Sequence, residues 1–265
     1  MIRNPIKKKW AVSLGILSIL ILVGGYSLLS HFQHKANPDD TTIPGWRQLS
    51  EGVKKAFKPN DRTGEVWVLD DVKATFFRLF LGMFFGIAGA IVLGLLMGCF
   101  KIFESFLVPP LSLIAKIPPT AALAVFFVMV GTGTNMYVMM IAFGVLPILA
   151  QTVYLSVKDV PEELLHKAYT LGATQTEVIW NIIFRFILPR FIDAIRLQIG
   201  PAMVYLIAAE MVCGDVGFGY RIRLQSRLLN MSVVYPYLAL LAFFGFAIDY
   251  SLRLLQKKAC AWYAG

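Results

Sequence analysis

Apolar residues in this chain come in long blocks, too long for the faces of a soluble helix or strand. A helix needs about 20 mostly apolar residues to cross the hydrocarbon of a bilayer. Six stretches meet that need, at about 10–29, 75–100, 106–130, 136–157, 191–212 and 233–255. The second carries Gly82, Gly86, Gly89, Gly94 and Gly98, and spacings such as Gly94–Gly98 let another helix approach closely. The third is broken by Pro109-Pro110 and Pro118-Pro119. The pattern predicts an all-α integral membrane protein with about six transmembrane helices. A cleaved signal peptide is the rival reading of the first stretch. Its apolar run is long for that, and no small-x-small cleavage site follows before His31, so a retained anchor is expected.

Two polar stretches separate the blocks, at about 30–74 and 158–190. The first is punctuated by Pro38, Pro44 and Pro59, and residues 46–57 within it pattern as an amphipathic helix lying on a membrane surface. No internal repeat is visible. The expected division is an N-terminal anchor with a polar extracytoplasmic segment, 1–74, and a five-helix core, 75–265.

Composition sharpens the class. The chain is 57% hydrophobic and 15% charged, with a mean hydropathy of +0.66. A soluble domain carries roughly 25% charge, so the apolar excess needs lipid to cover it. The net charge of +9 fits basic flanks and loops. Nucleic acid is not the expected partner, because no basic patch is interleaved with exposed aromatics. Arg3, Lys7, Lys8 and Lys9 precede the first span and Lys35 stands alone just after it. That asymmetry predicts both termini inside, in the cytoplasm. Cys99, Cys213 and Cys260 have no metal or paired spacing. His31, His34 and His166 form no ligand cluster, and no catalytic arrangement recurs.

The informative polar stretch is 161–189, PEELLHKAYTLGATQTEVIWNIIFRFILP. Pro161, Glu162 and Glu163 suit the start of a helix and the positive end of its dipole. That helix is expected to run to about Leu171. Gly172 then ends it, because glycine accepts the left-handed exit conformation. Thr174 and Glu177 form a capping box for a second helix. Two short helices joined at Gly172 are therefore expected in a cytoplasmic loop between spans four and five. Leu164, Leu165, Ala168 and Leu171 give the first an apolar face that must pack on its own chain or on a partner.

Charges inside the spans are the other candidates. A charge at mid-membrane costs about 2.5–3.5 kcal/mol on insertion scales, so Arg196, Glu210 and Asp249 each need a partner or water. Arg196 and Glu210 are fourteen residues apart, about 21 Å along one helix, and cannot pair within it. Lys116 beside Pro118 and Pro119 reads as a snorkelling lysine or as a cation near the path of an anion. Arg78 reads as an interfacial anchor.

The chain resembles the permease subunit of bacterial binding-protein-dependent ABC importers. The resemblance is carried first by Ala168, Leu171, Gly172 and Ala173, with Leu188-Pro189 closing the motif. His166 stands where that family usually has glutamate, and Lys167 replaces an alanine. It extends over about 70–262 and looks closest to the nitrate, sulfonate and taurine branch. The residues suggesting that branch are Leu93 to Gly98, Lys116 to Ala121, Ile195 to Leu197, Ala208 to Met211 and Gly217 to Tyr220.

The resemblance implies a bacterial inner-membrane subunit and a small oxyanion or organosulfonate as substrate. Glu163, His166, Lys167, Ala168, Leu171, Gly172, Ala173 and Thr174 would form the loop that couples to a cytoplasmic ATPase. Lys116, Pro118, Pro119, Arg196 and Glu210 would be candidates for the translocation path. The implied partners are ABC ATPase subunits, a second and identical permease subunit, and a periplasmic or lipid-anchored substrate-binding protein. ATP and Mg would be bound by the ATPase and no cofactor by this chain, which has no G-x-x-x-x-G-K-[ST] loop. Alternating access driven by ATP would move the substrate. A self-sufficient transporter would call for inverted repeats with polar broken helices. A membrane enzyme would call for paired acids, a His cluster or a nucleophile, and none is seen.

Overall fold

The structure is a computed structural model and describes residues 7–38, 40–59, 64 and 66–263. Arg3, part of the basic run used for orientation, lies outside them. The described chain is built from helices and forms two compact units, Met1–Trp67 with Leu224–Leu238, and Val68–Arg223 with Ala239–Gly265. The chain first passes from one unit to the other after Trp67. The start of the last helix joins the first unit.

In the first unit, α1 (Lys8–Ala36) is a 29-residue helix whose apolar side chains from Trp10 to Leu22 are exposed. Such a surface is suited to lipid, and the helix is long and apolar enough to cross a membrane. After Asn37 the chain turns back along α1. Tyr26 donates its hydroxyl to the Pro44 carbonyl at 2.6 Å, and Trp46 donates its indole N–H to Ser27 Oγ at 3.1 Å. α2 (Trp46–Phe57) follows, at the boundaries the amphipathic pattern gives. Its start is held by Gln48, whose side-chain carbonyl accepts from the Gly45 N–H at 2.9 Å. Gly52 then lies on the start of the last helix, where a Cβ would stand only 2.0 Å from the Ser232 carbonyl oxygen. α2 is thus docked on protein through its small residues, a contact the amphipathic pattern did not call for.

The second unit is organised around two long helices, α3 (Trp67–Cys99) and α6 (Thr134–Lys158). The buried side chains concentrate on α6, with Met136, Tyr137, Met140, Ile141, Val145, Leu149, Ala150 and Val153 all below 2% exposure. The glycines of α3 supply the facing groove. Gly82 meets Ile141, Gly86 meets Val145, Gly94 meets Val153 and Gly98 meets Val157, so the two helices run parallel. A Cβ added at Gly82, Gly94 or Gly98 would come within 2.5–2.6 Å of these side chains. Close approach of this kind replaces the hydrophobic drive that lipid cannot supply.

Between them, α4 (Lys101–Ile114) and α5 (Leu123–Val130) flank an irregular segment around the second proline pair. Pro109 and Pro110 stay inside α4. The break therefore comes at residues 115–122 alone. Beyond α6 come α7 (Glu162–Thr170), the single turn α8 (Gln175–Glu177), and a π-turn over Val178–Ile183. That turn leads directly into α9 (Phe184–Cys213). The expected second short helix is therefore the foot of a long one. α10 (Phe218–Arg227) and α11 (Met231–Ala259) complete the chain. Among the described residues α1, α3, α6 and α11 are long and apolar enough to cross a membrane. The third expected span is the broken pair α4 and α5. The fifth is α9, which is 30 residues long but carries several charges.

Candidate functional site

The loop between α6 and α9 is shaped by its own residues. Pro161 precedes α7, with Glu162 and Glu163 in the first turn. At the other end Gly172 has φ 85°, the left-handed conformation. Its N–H reaches the Tyr169 carbonyl at 3.0 Å, and the Ala173 N–H reaches that of Ala168 at 3.1 Å. This paired closure is the Schellman motif. Thr174 then opens α8. Its backbone N–H donates to Glu177 Oε2 at 2.8 Å, and its hydroxyl accepts from the Glu177 N–H at 3.4 Å. The Thr174 N–H, and next its hydroxyl, hold the Glu177 carboxyl below the usual glutamate range.

The apolar face of α7 divides. Ala168 is buried and Leu165 half-buried in the core, while Leu164 and Leu171 point away, Leu171 being 88% exposed. Glu163, His166, Lys167 and Thr174 are exposed as well, and Ala173 is half-buried. Underneath lies a cavity of about 500 Å³, lined by Cys99 and Phe100, by Val157 and Lys158, and by Leu165, Tyr169 and Val178 among others. Two ion pairs collar the helices that lead to it. Lys158 donates to Glu104, which also accepts from the Tyr154 hydroxyl at 2.7 Å. Arg190 pairs with Asp159.

The charges in the apolar helices are paired across them. Glu210 on α9 is fully buried. Its carboxylate accepts from Arg78 at 2.9 Å, from the Thr75 hydroxyl at 2.9 Å and from the Gly219 N–H at 3.0 Å. Arg78 also donates to the Val216 carbonyl at 2.8 Å and lies over the Tyr137 ring at 4.2 Å. It is 7% exposed and is the buried partner of Glu210, not the interfacial anchor its position suggests. Asp71, also buried, accepts from the Gly217 N–H at 2.8 Å and from Arg221 at 2.8 Å. The 214–219 segment is thus fastened to the first turns of α3. Gly217 has φ 122°, and a Cβ there would stand 2.5 Å from Glu210 Oε1. This glycine-rich stretch is a turn shaped around a carboxylate.

Arg196 makes a forked contact with Asp249 on α11, at 2.9 and 3.2 Å, and a third bond to Asp193 at 2.9 Å. It lines a groove of about 760 Å³ between α9 and α11, floored by Gly200, Met203 and Gly245. Structure therefore brings Glu210 to α3 and Arg196 to α11, and does not bring the two together. Lys116 and Pro118 are exposed in the 115–122 break, and Pro119 is buried. Pro119 and Tyr205 close over Gly144 in α6, where a Cβ would stand 2.7 and 2.4 Å from them. Gly144 lies ten residues into α6, about 15 Å along it. Irregular backbone at that depth is tolerated only against protein or a watery cavity. Sequence reasoning missed Asp71, Thr75 and Gln198. Gln198 is buried on α9 and its Oε1 has no hydrogen-bond partner among the described residues. A glutamine within an apolar block is the signal that was available for it.

Comparison with known proteins gives a consistent answer. Residues 90–259 match the family described as the binding-protein-dependent transport system inner membrane component. The taurine transport system permease protein TauC of Escherichia coli (strain K12) is 26% identical over 266 residues, covering 98% of this chain and 93% of that protein. The putative aliphatic sulfonates transport permease protein SsuC of Bacillus subtilis (strain 168) is 26% identical over 207 residues, covering 78% and 74%. Among solved structures, an inward-facing form of the MetNI methionine ABC transporter superposes with a TM-score of 0.62 at 18% identity, over 73% of this chain and 95% of that one. Together with the helical fold, the matched region establishes a transport subunit rather than an enzyme: the chain belongs to the inner-membrane permease components of binding-protein-dependent ABC importers.

Proposed function

We propose that this subunit forms the translocation path of an importer for a small oxyanion or organosulfonate, and that α7 is its contact with a cytoplasmic ATPase. The observation that carries the coupling role is the shape of the 162–177 loop. A short helix is closed at its C-terminal end by the paired bonds of Gly172 and Ala173, packed inward through Ala168, and left with Leu164 and Leu171 facing out. A large apolar side chain at 88% exposure, on a rigid mount, suits insertion into a partner's groove. ATP and Mg bind the ATPase, whose closure draws α7 and its counterpart on a second, identical permease subunit together. A periplasmic or lipid-anchored binding protein supplies substrate at the opposite face. The termini lie in the cytoplasm, and the α4–α5 pair and α9 complete six spans.

The substrate class rests on the taurine and aliphatic-sulfonate relatives. Lys116, Pro118 and Pro119, in the break at mid-depth, are the path residues this reading favours. Arg196 borders the α9–α11 groove but is neutralised by two carboxylates. Glu210 serves to hold the 214–219 turn. The test is photo-crosslinking from position 166 in native membranes, followed by purification. Recovery of an ATPase subunit with a phosphate loop supports the reading. Crosslinks to no nucleotide-hydrolysing subunit, or substrate uptake by the chain alone in liposomes without ATP, overturn it.

A further inference from the structure

The second helix carries three distinct faces, and only one is covered by protein. At about 100° per residue, Gly52 and Ala56 share the side that is buried. Trp46, Val53 and Phe57 fall within about 40° of one another on a second side and are 57%, 39% and 49% exposed. Arg47 and Lys54 lie about 100° farther round, both exposed; Arg47 is paired with Glu51 at 3.2 Å, which leaves that edge net positive through Lys54. An exposed apolar stripe beside a basic stripe is the composition of a helix seated in a membrane interface.

The depth of α2 follows from its contacts with α1. Counting from Trp10, after the flanking lysines, the about 20 residues that cross the hydrocarbon end near Leu29. The chain returning from α1 meets it at that level and not at its tip. Trp46 bonds Ser27, Tyr26 bonds the Pro44 carbonyl and Ser30 bonds the Ile43 carbonyl. Tyr26 is edge-on to both Trp46 and Tyr235, with ring centroids 5.8 Å apart in each case. Three aromatic rings at one level, two of them tyrosines, mark the headgroup boundary where such residues concentrate. The stripe of α2 is therefore continuous with the lipid-facing surface of α1.

We propose that α2 is a lipid-reading element, with Trp46, Val53 and Phe57 seated in the leaflet at the C-terminal end of α1, Lys54 meeting the phosphates of anionic phospholipids, and Arg47 exchanging its exposed contact with Glu51 for the same phosphates. The occupant is the bilayer because the apolar stripe adjoins a surface that is already lipid-facing, and because the charge beside it is positive. This is independent of the substrate and of the ATPase contact.

The test uses the full-length chain in lipid nanodiscs. Native mass spectrometry of the unaltered protein from mixed phosphatidylglycerol and phosphatidylcholine should show preferential retention of phosphatidylglycerol. The R47Q/K54Q variant should lose that preference, by roughly fivefold for each basic residue removed near an anionic surface. Spin labels at positions 53 and 57, in a background with Cys99, Cys213 and Cys260 replaced by serine, should be more accessible to oxygen than to a nickel chelate. Labels at 51 and 55 should show the reverse. Equal retention of the two lipids, or a preference unaffected by R47Q/K54Q, overturns the proposal. So does chelate access at 53 and 57 equal to that at 55, or protection there that arises only on adding a binding protein or a second copy of the chain.

Discussion

Gly172 and the Glu210 pair show how differently single residues carry this structure. Gly172 has open space around its α-carbon, yet its φ of 85° excludes branched side chains for backbone reasons alone. Gly172→Val should strain the exit of α7 by about 1–2 kcal/mol. We expect normal membrane content and loss of ATP-driven uptake, read from the two assays together. Arg78 is the opposite case, held by contacts and not by its backbone. Arg78→Met leaves the Glu210 carboxylate buried without its cation, at a cost of about 3–5 kcal/mol, which thermal unfolding in detergent should register. The first position was legible in the sequence because a glycine after a helical run has few other uses. The second was not. Arg78 and Glu210 are 132 residues apart, and a lone arginine in an apolar stretch reads the same whether it anchors or pairs.

Elements follow the same division. The long apolar helices and α2 stand close to where periodicity and composition put them, since lipid imposes a length and an amphipathic face imposes a period. The π-turn of Val178–Ile183 was invisible, because a one-residue widening of a helix leaves no mark in a hydrophobic pattern. So was the docking of α2 through Gly52. The glycine row of α3 was legible as a close-packing face, though not its partner. Within that row the cost of a methyl group should differ. Gly94→Ala places a Cβ 2.5 Å from Val153, and Gly86→Ala places one 3.3 Å from Val145. The first should lose about 1–3 kcal/mol in thermal stability and the second clearly less. The collar at the foot of α4 and α6 can be tested in the same way. Glu104 accepts from both Lys158 and the Tyr154 hydroxyl. Glu104→Gln removes the charge that Lys158 faces, and thermal unfolding in detergent should register the loss.

For the molecule as a whole, the sequence family accounts for residues 90–259, which leaves α1 and α2 ahead of the matched region. A maleimide that cannot cross membranes should label His166→Cys only in inverted vesicles and Leu228→Cys only in right-side-out ones; the opposite pattern would reverse the proposed topology. An importer must also change shape, and the α3–α6 pair says where it can yield. Each of four glycines faces the residue 59 positions later, from Gly82 with Ile141 to Gly98 with Val157. Sliding either helix by a residue would drive side chains into backbone at several places at once. The pair is keyed like a shaft in its hub, with a single seat, so that motion passes through it undivided. Bending is left to points where the helical ladder is already irregular, among them the 115–122 break and the wide turn at Val178–Ile183.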